Sequence, residues 1–157
     1  MNSIVRWLIN EDLPQILAID KMCHEKAWKD RCFRQILQRQ HVIGSTSKKG
    51  TEILGYLITE FLEWSESIMI VRMGIHPDCR RQGLGSQLIQ AVQSHHLKQN
   101  NDYRHLYAPV AERMLGTQMF LKHCGFKAVG KLPNGKDGDD MYLMRLTFSI
   151  PSTQLVN

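Results

Sequence analysis

The chain has no apolar run approaching the roughly eighteen residues that a membrane-crossing helix needs, so no bilayer span is predicted. Its first twenty residues hold no apolar core of signal-peptide length, because Asn10-Glu11-Asp12 interrupts them. Four cysteines (Cys23, Cys32, Cys79 and Cys124) are scattered without a C-x-x-C pair. Reduced thiols in the cytoplasm are therefore the expectation. Seven histidines form neither H-E-x-x-H nor another ligand spacing, so no metal site is expected, and His95-His96 reads as a solvated helix edge. The phosphate loop G-x-x-x-x-G-K-[ST] is missing, and Leu88 stands where a full G-x-G-x-x-G needs its third glycine. Internal repeats and low-complexity segments are missing as well.

What remains is the composition of an ordinary water-soluble globular chain, 43% apolar and 22% charged. Its 157 residues read as one domain over 1–148 with a tail at 149–157. A domain of that size buries roughly two thirds of its unfolded surface. The formal net charge of +5 raises the question of nucleic acid. The basic residues, however, are dispersed, with local pairs only at Lys48-Lys49 and Arg80-Arg81. Direct nucleic-acid binding would gather them on one face and is not expected. Ribosome-associated substrates stay compatible with the charge.

The most informative segment is His76-Pro-Asp-Cys-Arg-Arg-Gln-Gly-Leu-Gly85. An apolar strand, Ile68 to Ile75, runs into it, and His76-Pro77 ends that strand because proline donates no ladder hydrogen bond. After it, Leu84, Leu88, Ile89 and Val92 fall on one helical face. Strand, tight turn and helix with glycines at the turn suit an anion. The first N–H groups of a helix lack internal partners and sit at the positive end of its dipole. Gly83 and Gly85 let a phosphate approach the backbone, and Arg80 and Arg81 add charge beside it. A glycine-rich helix start with no ligand fits the same residues.

Along the rest of the chain, residues 3–9 read as a strand, followed by a helix capped by Asn10 with Asp12 in its first turn. A second helix is predicted over about residues 29–39. Strands at 41–46 and 53–62 flank a Ser47-Lys-Lys-Gly50 turn. The helix after the glycine turn runs to about Gln99. A strand at 106–110, a helix from about Glu112 to His123, and strands at 126–132 and 141–148 complete the order β-α-α-β-β-β-α-β-α-β-β.

Arg80-Arg81-Gln82-Gly83-Leu84-Gly85 resembles the R/Q-x-x-G-x-G/A motif of the GNAT superfamily of N-acetyltransferases. Phe120-Leu-Lys-His-Cys-Gly-Phe126 resembles that family's F-Y-x-x-x-G-F element. Ala27-Trp28-Lys29-Asp30 with Phe33 is similar to the P-W-[ST]-x-x-x-F segment of the RimI type, which acts on ribosomal-protein N-termini. Asp139-Asp140-Met-Tyr-Leu-Met144 is similar to the penultimate strand of that type. The likeness covers roughly residues 3–148. It implies an α/β GNAT fold, a mixed sheet of about seven strands between helical layers, with the fourth and fifth strands splayed around acetyl-CoA. It further implies that Met73, Gly74 and Ile75 meet the pantetheine arm by their backbone, and that Arg80, Arg81, Gln82, Gly83, Leu84, Gly85 and Ser86 hold the pyrophosphate. The implied activity is direct acetyl transfer from acetyl-CoA to a primary amine, a protein N-terminal α-amine foremost. A small-amine acetyltransferase and a catalytically silent CoA-binding module are the alternatives.

The chain also departs from the family. Leu121 replaces the tyrosine that commonly protonates the departing thiolate, Pro109 falls where the RimI type has a glutamate base, and Met114 falls at the usual helix-start asparagine. Acid and base therefore stay unassigned. Tyr107, Glu112 and Tyr142 are candidates, although burial in the core explains Tyr107 better, a favourable helix start explains Glu112 better, and core packing explains Tyr142 equally well. Trp28 is expected either to wall the acceptor groove or to pack helix on sheet. Cys79, beside a positive helix end expected to lower its pKa, reads as a spectator. Asp137, Asp139 and Asp140 border the expected acceptor side and suggest a cationic acceptor, or simply a solvated acidic turn.

Overall fold

A computed structural model describes residues 2–39, 41–99, 103–133, 135 and 138–148. Asp137 and the tail at 149–157 lie outside the described residues. The strands are β1 (Ser3–Trp7), β2 (Val42–Ser47), β3 (Ile53–Leu62), β4 (Ser67–Ile75), β5 (His105–Ala111), β6 (Lys127–Leu132) and β7 (Met141–Thr147). The helices are α1 (Leu13–Cys23), α2 (Asp30–Gln38), α3 (Leu84–Lys98) and α4 (Leu115–His123). The sheet order is β1-β2-β3-β4-β5-β7-β6. β1–β2, β2–β3, β5–β7 and β6–β7 pair antiparallel, and β4–β5 pair parallel. The parallel register covers Ser67↔His105, Ile68↔Leu106 and Met69↔Tyr107 and ends there.

The chain divides into two compact units, residues 1–59 with 71–92 and residues 60–70 with 93–157. In the first, the apolar stripes of α1 and α2 cover β2 and β3. Leu13, Ile16, Ile19, Phe33 and Leu37 pack with Leu8, Val42, Ile53, Tyr56 and Ile58. α3 buries Leu84, Leu88, Ile89 and Val92 outside that cluster, and Gln87 on α3 accepts a hydrogen bond from the Ser3 hydroxyl of β1 at 2.7 Å. In the second unit the registers Ala108↔Met144 and Val110↔Tyr142 order β5 against β7.

Three local expectations are corrected. Asn10 lies within a 3₁₀ turn, Asn10–Asp12, and α1 starts only at Leu13. The turn is held by Asp12, whose carboxylate accepts from the Ile9 N–H at 2.9 Å and from both terminal nitrogens of Arg6 at 2.8 Å. Glu112 does not open a helix. Its N–H still donates to the Asp140 carbonyl at 2.9 Å, which keeps it on the edge of the β5–β7 ladder, and α4 begins three residues later. His96 is not solvated. It continues the i, i+4 series Leu84, Leu88, Val92 and is buried among Phe61, Tyr103 and Phe148, stacked on the last at 6.4 Å.

Candidate active site

The end of β4 and the turn after it carry the anion geometry. His76 N–H donates to the Leu54 carbonyl of β3 at 2.9 Å. In an antiparallel pair successive residues alternate the edge to which N–H and C=O point, so the main-chain groups of Met73 and Ile75 face away from β3. Their carbonyls are taken by side chains. His24 Nε2 lies 3.0 Å from the Met73 oxygen, and Cys23 Sγ and Arg80 Nε donate to the Ile75 oxygen at 3.3 and 3.2 Å. Gly74 is needed here for packing, since a Cβ on it would lie 2.7 Å from the ring of buried Tyr56.

Beyond β4, Pro77–Cys79 forms a 3₁₀ turn whose first N–H, that of Asp78, is capped by His76 Nδ1 at 3.2 Å. Arg81 and Gly83 then adopt φ of +58° and +80°. Glycine takes that conformation freely, whereas a left-handed arginine carries roughly 1–2 kcal/mol of strain. Strain of this kind gathers at ligand-binding turns, and left-handed residues within a turn aim backbone N–H groups into an anion-holding concavity. Gly83 is exposed, a Cβ built on it meets nothing within 4 Å, and its carbonyl accepts the Gln87 N–H of α3 at 3.0 Å. The turn thus leaves its backbone open around Gly83. Arg80 points back to β4, with its Nη2 3.4 Å from Cys23 Sγ, while Arg81 is exposed. Cys79 departs from expectation: burial, Asp78 and Glu52 push its thiol pKa up rather than down.

Behind the β4 end sits a network for which no role was read from the sequence. Asp20 is fully buried, and its carboxylate accepts from Arg72 Nε and Nη2 at 2.6 and 3.0 Å, from the Tyr56 hydroxyl at 2.5 Å and from the Trp28 N–H at 2.8 Å. Burial alone would raise the Asp20 pKa, but Arg72, Tyr56 and Trp28 outweigh it and hold the group below the ordinary carboxylate value. Burial and the Asp20 charge push the Tyr56 phenol far up, so it stays a neutral donor. Trp28 packs on Phe33 at 5.4 Å between centroids and lies under the Arg72 guanidinium at 4.8 Å, so it packs helix against sheet and ties α2 to this network. The signal was an acid in the α1 stripe Leu13, Ile16, Asp20, matched by one cation inside an apolar strand.

In the second unit, Glu112 and Tyr142 are brought together. The Tyr142 hydroxyl and Lys131 Nζ each lie 3.5 Å from Glu112 Oε1, and Lys131 also pairs with Asp140 at 3.2 Å. Asp139 pairs with Arg113 at 2.6 Å. The two described loop carboxylates thus each pair with a cation of the chain itself. Tyr107 is half-buried on β5, opposite Arg145. Leu121 is 3% exposed, a core position of α4. Met114, at the cap of α4, makes no side-chain cap. Gln118 instead donates to the Ala111 and Glu112 carbonyls at 3.1 and 2.9 Å.

A family model described as Acetyltransferase (GNAT) family matches residues 13–126. The chain belongs to the GNAT acetyltransferases. It is accordingly an acetyl-CoA-dependent acetyltransferase. Solved structures agree on the fold. The ribosomal-protein-S18-alanine N-acetyltransferase from Escherichia coli matches with a TM-score of 0.80 and 20% identity, covering 99% of this chain and 100% of that one. Ard1 from Thermoplasma volcanium matches with a TM-score of 0.84 and 18% identity over 96% and 100% of the two chains. The yncA protein of Salmonella typhimurium, solved with its cofactor acetyl-CoA, matches at 0.74 with 14% identity over 96% of each chain. No curated protein matches. Among the described residues no group of three or more His, Cys, Asp or Glu is placed to hold a metal, and no helix is long and apolar enough to cross a membrane.

Proposed function

We propose that this GNAT enzyme acetylates the α-amine of protein N-termini in the cytoplasm, with ribosomal proteins among its acceptors. The observation that carries the reading is the end of β4, where Met73 and Ile75 turn their main chain away from β3 and the strand leads, through the Pro77–Cys79 turn, into the open turn at Arg81–Gly83. Residues Arg80 to Ser86 are the diphosphate cradle in this reading, and the N–H groups of Met73 and Ile75 hold the pantetheine arm or the oxyanion that develops during transfer. Support for the acceptor comes from the full-length fold match to the Escherichia coli alanine N-acetyltransferase.

The choice of amine follows from ionisation. A free α-amine has a pKa near 7.7–8.0 and a lysine one near 10.4, so neutralising lysine costs roughly 3 kcal/mol more. With Pro109 and buried Leu121 at the family's base and acid positions, the α-amine is the easier nucleophile. The test is an acetyl-transfer screen over N-terminal peptides, lysine peptides and small amines. Turnover is expected on N-terminal peptides, rising between about pH 7 and 9 as the amine loses its proton. Preference for lysine peptides or small amines refutes the acceptor assignment, and binding of acetyl-CoA without turnover on any amine refutes the catalytic reading.

A further inference from the structure

His24 lies just beyond α1 in extended backbone, its N–H donating to the Asp20 carbonyl at 3.0 Å. That bond sets the ring over the β4 end, with Nε2 3.0 Å from the Met73 oxygen. A carbonyl oxygen only accepts, so Nε2 must carry the proton. In the neutral ring this leaves the lone pair on Nδ1. No hydrogen bond to Nδ1 is found among the described residues, and the side chain is 28% exposed. The ring is therefore fixed in one tautomer beside the Met73 main chain, partly exposed, with an Nδ1 lone pair that no described residue takes.

We propose that His24 is the general base of acetyl transfer, receiving the acceptor's proton on Nδ1. The proposal rests on the acetyl-transfer reading above, and it supplies the base that Pro109 cannot. The acceptor amine, neutral when it reacts, forms the N–C bond to the acetyl carbonyl carbon with its free electron pair, and Nδ1 takes one proton from that nitrogen. The C–S bond breaks with its electrons on sulfur, and the imidazolium then gives its proton to the thiolate or to solvent. A CoA thiol resembles cysteine in acidity, near pKa 8.5, so the sulfur leaves without a dedicated acid.

The surroundings keep the ring ready. Burial, then the Arg72 charge on β4, lower the His24 pKa, with Arg80 adding to them. Asp20, with an oxygen 3.8 Å from Nε2, and the Met73 bond oppose them without prevailing. Asp20 is itself saturated by Arg72, Tyr56 and Trp28, so its charge is largely spent. The ring is neutral at pH 7 and competent to accept a proton.

His24→Gln keeps a side-chain N–H for the Met73 carbonyl and removes the titrating nitrogen. It is expected to lower kcat by roughly a hundredfold or more while acetyl-CoA affinity and fold are retained. The fall in wild-type kcat as pH drops below about 6.5 should vanish in the variant. Independently of turnover, ¹⁵N NMR of the imidazole is expected to show the Nε2–H tautomer at neutral pH. A kcat within about threefold of wild type, well short of a general-base effect, or an Nδ1–H tautomer overturns the proposal. The kinetic comparison uses whichever amine the wild-type enzyme accepts best. A lysine or small-amine preference thus refutes the acceptor assignment and leaves the base assignment standing or falling on its own result.

Discussion

Arg72→Met should destabilise the protein by about 3–5 kcal/mol, the usual cost of removing one partner from a buried ion pair. Asp20 is 0% exposed, and four donors serve its carboxylate, two of them from Arg72 at 2.6 and 3.0 Å. Methionine keeps much of the apolar stem, so the loss falls on charge and hydrogen bonds rather than on packing. The bond from Arg72 Nη2 to the Lys26 carbonyl at 2.9 Å and the cation over Trp28 go as well. Tyr56 and the Trp28 N–H remain, but neither is charged. For a protein of this size roughly 2–4 °C accompanies each kcal/mol, so Tm should fall by about 6–20 °C. The pH dependence identifies the cause. In the wild type the Asp20 pKa is depressed, so its stabilisation is present above the unfolded pKa near 4 and is lost as pH falls through the folded value. Without Arg72, burial prevails and the folded pKa rises above the unfolded one. The variant's deficit should then shrink as pH falls from about 7 toward 4. Urea titrations of both proteins across that range measure it. A deficit under about 1 kcal/mol at pH 7, or one that does not change with pH, refutes the role given to this pair.

Gly85→Asp should abolish acetyl-CoA binding in calorimetry by setting a carboxylate against the diphosphate, and a folded variant that binds normally places the diphosphate elsewhere. Gly83→Val should weaken binding similarly, at a fold cost of roughly 1–2 kcal/mol for the left-handed backbone, because the space around its Cβ is open. Leu121→Tyr restores the family's hydroxyl at a buried position and should lower stability by about 1–3 kcal/mol in denaturant titration; a variant as stable as the parent shows that position 121 has room for the larger ring.

The strand, glycine turn and helix were legible because each rests on neighbours in the chain: the apolar run of β4, the proline that ends it, and the i, i+4 stripe of α3. The same stripe, followed one step further, places His96 in the core, where histidine identity alone suggested solvent. Glu112 misled for the converse reason. A carboxylate before an apolar segment resembles a helix start, but its N–H belongs to a ladder with Asp140, 28 residues downstream. Asp20 with Arg72 and His24 with Met73 were out of reach as pairs, since 52 and 49 residues separate the partners. A lone acid in a helix stripe and a lone cation in an apolar strand mark such a pair. Only the fold says that they meet.

Pro109 shows how a departure from the resembled motif can leave the fold intact. The bonds Phe148 N–H to Arg104 and Glu112 N–H to Asp140 bracket the β5–β7 ladder. By alternation, the even-numbered residues of β5 from 104 to 112 point their main chain at β7. Pro109 is odd-numbered, so the N–H it lacks would have faced the opposite edge. There the parallel register has already ended at Tyr107, two residues earlier. Proline therefore removes no ladder bond from β5, although a central strand position normally excludes it. The sheet therefore tolerates proline here. Under the acetyl-transfer reading, where the resembled motif has a carboxylate at this position, the proposed base comes from another element, His24 beside the β4 end.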